Sequence, residues 1–277
     1  MKITVKTKIK LNVKDAFDDA TINGIRRIGA IIIALFVATI FFSWPVASSA
    51  FQNPKEYLSW GDKLFEDKNY RDAAEYYEKS LKIVIANSPT EEMLIGFIHL
   101  RIGQCYYETS NFNEALLHFS EALKRGKDAR TIDPDKAKML LFRSYGSILD
   151  IYDNIGLDKQ MLEITDEFIA FIKEYKAAPL SVDQIPKSNV DNFLAYCYAQ
   201  KGTNLDEALM LIDGALKDEP KSYAMLDTKG WVLYKMGEKK KALKILKKSL
   251  KLCKEKEAKC AVIERHVKIV EKSVVDK

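Results

Sequence analysis

The sequence predicts an all-α protein, a solenoid of antiparallel helix pairs preceded by an apolar N-terminal segment. Three observations carry that expectation. First, Leu226–Leu250 reads as two short amphipathic helices joined by a tight turn at Met236-Gly237-Glu238. Gly230 and Ala242 stand where two backbones must come close, and Trp231, Tyr234, Leu246 and Leu250 fill the space beside them. Second, the template recurs. Ala208 lies 34 residues before Ala242 (242 − 34 = 208), and Ala115 and Ala73 occupy the same place in two earlier copies. Third, each pair is apolar on both flanks, so no pair hides its surface alone and each needs neighbours.

The elements follow in order. Residues 1–27 hold seven Lys and Arg against three Asp, so they supply +4 of the net +5. Within them Ile3, Val5, Ile9, Leu11 and Val13 alternate with polar residues, a strand period in an otherwise helical chain. That fits a short strand with no partner in this sequence, or an extension from a start placed too early. Arg26-Arg27 then precedes a run without charge as far as Lys55, whose most apolar part is Ile28–Phe42. Ser48-Ser49-Ala50 puts small residues at −3 and −1 of a cut after Ala50, the pattern of a secretory signal peptide. The alternative is a retained transmembrane anchor over residues 28–50, since the uncharged run is long enough to cross a bilayer of ~30 Å. Either reading puts the basic flank inside and the repeats on the outer, periplasmic or extracellular, side. No Cys near Ala50 marks a lipoprotein. Residues 51–173 are expected to form pairs one to three, entered at Asn53-Pro54. Residues 174–190, with two prolines and little periodicity, are the expected linker. Residues 191–277 hold pairs four and five and a terminal helix over Glu255–Val274 that caps the open end of the array.

The copies resemble the tetratricopeptide-repeat family. The residues that carry the likeness are Trp60-Gly61, Tyr70, Ala73, Tyr77 and Leu81, and then Ile102-Gly103, Tyr106, Phe112, Ala115, Phe119 and Ala122. Leu205, Ala208, Ile212, Ala215, Leu216 and Pro220 repeat the spacing later on. The third copy, roughly residues 138–173, is degenerate, with Gln160 at the place of the small Ala. The resemblance implies a right-handed solenoid with a concave groove lined by the first helix of each pair. By alignment the groove-facing residues are Leu58, Asp62 and Phe65, then Leu100, Gln104 and Tyr107, then Asn192, Tyr196 and Ala199, then Thr228, Val232 and Lys235. Some members hold a terminal carboxylate with Lys and Asn at such positions. Here Leu58 and Leu100 stand at the Lys place and Asp62 and Gln104 at the Asn place, so that clamp is not supported. The stripes Tyr57/Trp60/Leu64 and Tyr106/Phe112/Phe119 are expected in the core on helical spacing.

No chemistry of turnover is written in the chain. His99, His118 and His266 lack a partner at metal-ligand spacing, His118 being expected at the surface and His99 packed. There is no Gly-rich phosphate loop and no nucleophile or zinc-hydrolase motif. No catalytic residue, cofactor or metal is therefore expected. Cys105 and Cys197 read as small buried hydrophobes. Cys253 and Cys260 would be ~10.5 Å apart on one continuous helix, too far to bond, but meet if the chain turns between them; in an oxidising compartment such a disulfide pins the terminal helix, and otherwise both remain thiols. Lys239–Lys277 holds 14 Lys and Arg against five Asp and Glu, either a solvated helix face or a dock for an acidic partner. Aromatics that stack on bases are missing there, so nucleic acid is not an expected partner. The expected function is a protein–protein interaction scaffold of the cell envelope, gripping a partner's peptide or helix in the groove, with self-association open. The alternatives are a non-catalytic membrane tether or subunit of an envelope complex, and an enzyme whose site is not visible in the sequence.

Overall fold

The computed structural model describes residues 53–178 and 185–275; the alternating segment and the apolar run up to Phe51 lie outside them. Among the described residues there is no strand. The helices are α1 (Pro54–Glu66), α2 (Tyr70–Asn87), α3 (Glu92–Glu108), α4 (Phe112–Asp128), α5 (Pro134–Ile155), α6 (Asp158–Ala177), α7 (Lys187–Lys201), α8 (Leu205–Asp218), α9 (Tyr223–Lys235), α10 (Lys239–Glu255) and α11 (Ala261–Val275), with a 3₁₀ turn at Ala129–Thr131. None of these is long and apolar enough to cross a membrane.

Local chemistry sets the ends. Asn53 accepts a hydrogen bond from the Lys55 amide ahead of Pro54, and Asp133 accepts one from the Lys136 amide ahead of Pro134. A proline in the first turn forgoes an amide that has no helical partner anyway. Gly156 and Gly202 end α5 and α7 at φ 71° and 68°, a left-handed conformation that other residues adopt only under strain.

Consecutive helices pack antiparallel as five pairs, α1/α2 to α9/α10. In three of them one contact recurs. A Cβ on Gly61 would lie 2.6 Å from the Tyr77 ring, on Gly103 2.7 Å from the Phe119 ring, and on Gly230 2.6 Å from Leu246 Cγ. Each glycine on a first helix is covered by a large side chain sixteen residues on, which is the small-against-large packing the repeats require. The degenerate third pair is held differently. Phe142, Tyr145, Phe168, Phe171 and Tyr175 form a ring cluster, with Phe168 stacked on Tyr145 at 5.1 Å, and Phe193 of α7 meets Phe142 edge-on at 5.3 Å. Gln160 is exposed there, and Met161 turns into the core instead.

Several expectations shift. Trp60 is 54% exposed rather than core, and Tyr57 and Leu64 are half-buried, because no described helix precedes α1 to cover that face. Residues 174–177 and 187–190 are helical, so the expected linker contracts to the stretch between α6 and α7. One continuous core runs from Leu100 to Val270 across that stretch, and a second, smaller core joins α1, α2 and α3. The terminal helix starts at Ala261, after α10 has run on to Glu255, and it packs on α10, α9 and α5 rather than across the end of the array.

The glycine contact yields a test. Gly230→Val should cost about 1–3 kcal/mol of folding free energy by overpacking against Leu246, read as a lower midpoint in urea denaturation.

Candidate functional site

The first helices present their inner faces to one cavity of about 610 Å³. Phe65 comes from α1; Arg101, Gln104, Tyr107 and Glu108 from α3; Arg143, Gly146, Ser147, Asp150, Asp153 and Asn154 from α5. Helix α7 adds Asn192, Phe193 and Tyr196, and α9 adds Tyr223, Asp227 and Thr228. Lys259, Val262 and Ile263 close the far side.

Of the expected groove residues, Phe65, Gln104, Tyr107, Asn192, Tyr196 and Thr228 line this cavity. The others do not. Leu58 packs on the smaller core, and Asp62 accepts a hydrogen bond from the Tyr77 hydroxyl (2.7 Å) and lies 3.5 Å from Arg101. Ala199 is fully buried in the main core. Leu100 is 1% exposed and belongs to the same core. Val232 is fully buried and Lys235 sits beyond the cavity over the Trp231 ring at 5.0 Å. In the fifth pair the aligned positions fall one residue late. Gly230 is where Leu246 presses, and a helix turns about 100° per residue, so the inner face carries Asp227 beside Thr228, and Trp231 lies under His266. The third pair's contribution was missed altogether. Gly146 is its register mark, with Arg143 three before it and Ser147 and Asp150 one and four after.

The floor of the cavity is polar. Asn154 Nδ2 donates to Asp150 Oδ2 (3.3 Å) and reaches the Tyr107 hydroxyl (3.4 Å), which itself bonds Asp150. Burial raises the Asp150 pKa above the ordinary carboxylate value and raises that of Tyr107 as well. At the mouth, burial and the neighbouring Arg101 lower the Arg143 pKa.

The C-terminal helix is seated on this inner face. His266 is fully buried and stacks on Trp231 at 4.1 Å. Its Nδ1–H donates to Asp227 at 3.0 Å, and Nε2 lies 3.7 Å from Asp153. Arg265 pairs with Asp153, which also accepts from the Tyr196 hydroxyl. Lys259 reaches back to the end of α3, donating to the carbonyls of Tyr107 (2.9 Å) and Glu108 (2.7 Å) and pairing with the Glu108 carboxylate at 3.1 Å. Cys253 and Cys260 are disulfide-bonded across the turn between α10 and α11, while Cys105 and Cys197 are buried thiols. Lys247 and Lys254 of the basic stretch are paired with Glu271 and Glu264 of α11.

His118 is half-buried rather than a surface residue, with its Nδ1 3.0 Å from that of His99. Burial and His118 push the His99 pKa down to about 4, so His99 is neutral near pH 7. Among the described residues no group of three or more His, Cys, Asp or Glu is placed to hold a metal ion.

No protein-family model matches the chain, and no curated protein matches it. Solved structures do. A Podosopora anserina structure described as a kinesin light chain with nearly identical TPR-like repeats aligns with a TM-score of 0.50 at 14% identity, over 75% of this chain and all of that one. The apo form of RapI aligns with a TM-score of 0.51 at 15% identity, over 74% of this chain and 71% of its own. The chain has the fold of tetratricopeptide-repeat proteins. At such identities the likeness concerns the fold alone.

Two tests follow from the site. His266→Ala leaves the buried Asp227 carboxylate short of a donor and removes the ring stacked on Trp231, and should cost about 1–3 kcal/mol in urea denaturation and expose α11 to protease. Because the folded state holds the Asp150 proton more tightly than the unfolded chain, ionisation of Asp150 lowers stability as pH rises from 3.8 toward the raised folded value. Asp150→Asn should therefore be more stable than the native protein at neutral pH, an advantage that disappears below pH 3.8.

Proposed function

We propose that this chain is a tetratricopeptide-repeat protein of the cell envelope that acts as a binding scaffold, not as an enzyme. It takes a segment of a partner into the inner cavity and is exported, or held at the membrane, through residues 28–50. The observation that carries the reading is the cavity itself. Five successive first helices converge on one concave space that mixes aromatic walls (Phe65, Phe142, Phe193) with amides and charges, and 610 Å³ lies within the range of ligand pockets. The aromatic walls offer a large contact area at small entropic cost, and the polar groups offer backbone partners to an extended or helical segment. The uncharged run after Arg26-Arg27 supports the placement of the repeats on the outer side. The N-terminal strand pattern is a second contact on the inner side if the run is retained.

The test uses the full chain in its native cells. A photo-crosslinking residue replaces Phe65 or Phe193 inside the cavity, or the exposed Leu117 or Met210 on the second helices. One partner should be captured from both inner positions and from neither outer one, and Ser147→Trp, which fills the cavity, should abolish capture. Equal capture from all four positions, or capture unaffected by the filling residue, would remove the cavity as the binding site and leave a tether. Intact mass and fractionation of the same cells decide the anchorage. A mass beginning at Phe51 in a soluble envelope fraction is a diffusible scaffold, and a full-length mass in the membrane fraction is a tethered one.

A further inference from the structure

The inner face of α5 changes sign along its length. Arg143 stands at the mouth of the cavity, and Asp150 lies two turns further on, about 10.5 Å along the axis. Between them Phe193 packs against Gly146, where a Cβ would lie 2.9 Å from its ring, and the small Ser147 faces the space, which Phe142 and Phe193 wall. Neither charge is neutralised by the protein. No acidic side chain among the described residues is paired with Arg143, and Arg101 beside it adds a second guanidinium. Asp150 is bonded by Tyr107 and Asn154, both uncharged. The cation acting on it is Lys259, whose Nζ is already held by the two α3 carbonyls and the Glu108 carboxylate. Asp227 and Glu108 add to the negative potential around Asp150. Asp153, by contrast, is taken by Arg265, and Asp227 by His266. Across the cavity, Asn192 Oδ1 is buried without a hydrogen-bond partner. Burial works against the charge of Asp150, and Arg143, exposed at the mouth, has the like charge of Arg101 beside it, so each end gains from an opposite charge.

We propose that the cavity takes a short free peptide of about three residues, its terminal carboxylate on Arg143 and its terminal ammonium on Asp150. The inference rests on the reading of the cavity as the binding site and narrows what occupies it. The length follows from the spacing. An extended chain covers at most ~3.3–3.6 Å per residue, so three residues span about 10 Å, the separation of the two charges along α5. A backbone N–H of the middle residue donates to Asn192 Oδ1, and the ring walls receive its side chain. An internal segment of a longer protein has neither terminal charge and leaves both ends of the cavity uncompensated.

Binding of randomised tripeptides to the full-length protein in detergent, followed by native mass spectrometry, tests this. Three pools are compared: free at both ends, N-acetylated, and C-amidated. The free pool should be retained at least tenfold over each blocked pool. Asp150→Asn should reduce the free pool to the level of the acetylated one without lowering the acetylated pool itself. Arg143→Gln should do the same with respect to the amidated pool. A variant that merely misfolds lowers all three pools, so the pool-specific pattern separates recognition from stability. Equal retention of free and blocked pools, retention of none, or equal loss of all pools in both variants overturns the proposal. If crosslinking from Phe65 and Phe193 still captures a protein partner in that event, the scaffold reading stands and the free-peptide inference falls; if neither result appears, both fall.

Discussion

The structure depends on how closely two helix backbones approach within each pair. Where Gly61, Gly103 and Gly230 lie under Tyr77, Phe119 and Leu246, no side chain larger than hydrogen fits without displacing its cover. That contact fixes the rotation of each first helix about its own axis. Rotation in turn decides which residues look inward, since a helix has only one face per about 3.6 residues. The cavity is therefore a consequence of glycine placement. Gln104 and Tyr107 reach it because Gly103 is held against α4, and Asp227 reaches it because Gly230 is held against α10.

The seat of the last helix obeys different physics. Val267 and Val270 join it to the main core, and the polar contacts of His266 and Arg265, with Lys259 in the turn before it, fix how it sits. Taking charges out of water gains little net stability even when they are well paired, but mismatched partners are strongly disfavoured. Such a contact specifies one docking geometry more than it strengthens the fold. The result is a cavity lined by Phe65 and Arg101 from the early helices and by Lys259, Val262 and Ile263 from the chain's own C-terminal part. The Cys253–Cys260 bond holds the turn from which that part of the lining hangs.

Most of the fold was legible because its rule is local and repeated. Ala73, Ala115, Ala208 and Ala242 are all fully buried, as a period of small residues demands. The inner face was legible only in part. Phe65, Gln104, Tyr107, Asn192, Tyr196 and Thr228 follow from register, but a slip of one residue in the last pair passed over Asp227 and chose Val232, which is buried in the core. In the third pair the packing passes to aromatic rings, and the motif that would have set the register is absent, so Arg143 and Asp150 carried no signal beyond the small residue Gly146. The place of α11 was not legible at all. It is decided by His266 finding Asp153 and Asp227, residues 113 and 39 positions earlier (266 − 153 and 266 − 227), and no local pattern encodes a pairing of that range. Trp60 shows the converse, a repeat residue whose burial needs a neighbour that the described chain does not supply.

A helical-repeat array is ordinarily a one-dimensional object, in which each unit touches the next and unfolding proceeds from either end by fraying. The contact from Lys259 to the end of α3, with those from Arg265 and His266 to α5 and α9, changes the dimensionality. It joins the last element to the second pair across 151 residues of chain. The units from α3 to α11 are then joined in a loop of contacts, which couples their unfolding more tightly than in an open array. Helices α1 and α2, with their separate small core, lie outside that loop. The array is thereby made polar in its mechanics, with a frayable edge on the side that the apolar segment joins and a cooperative block on the other.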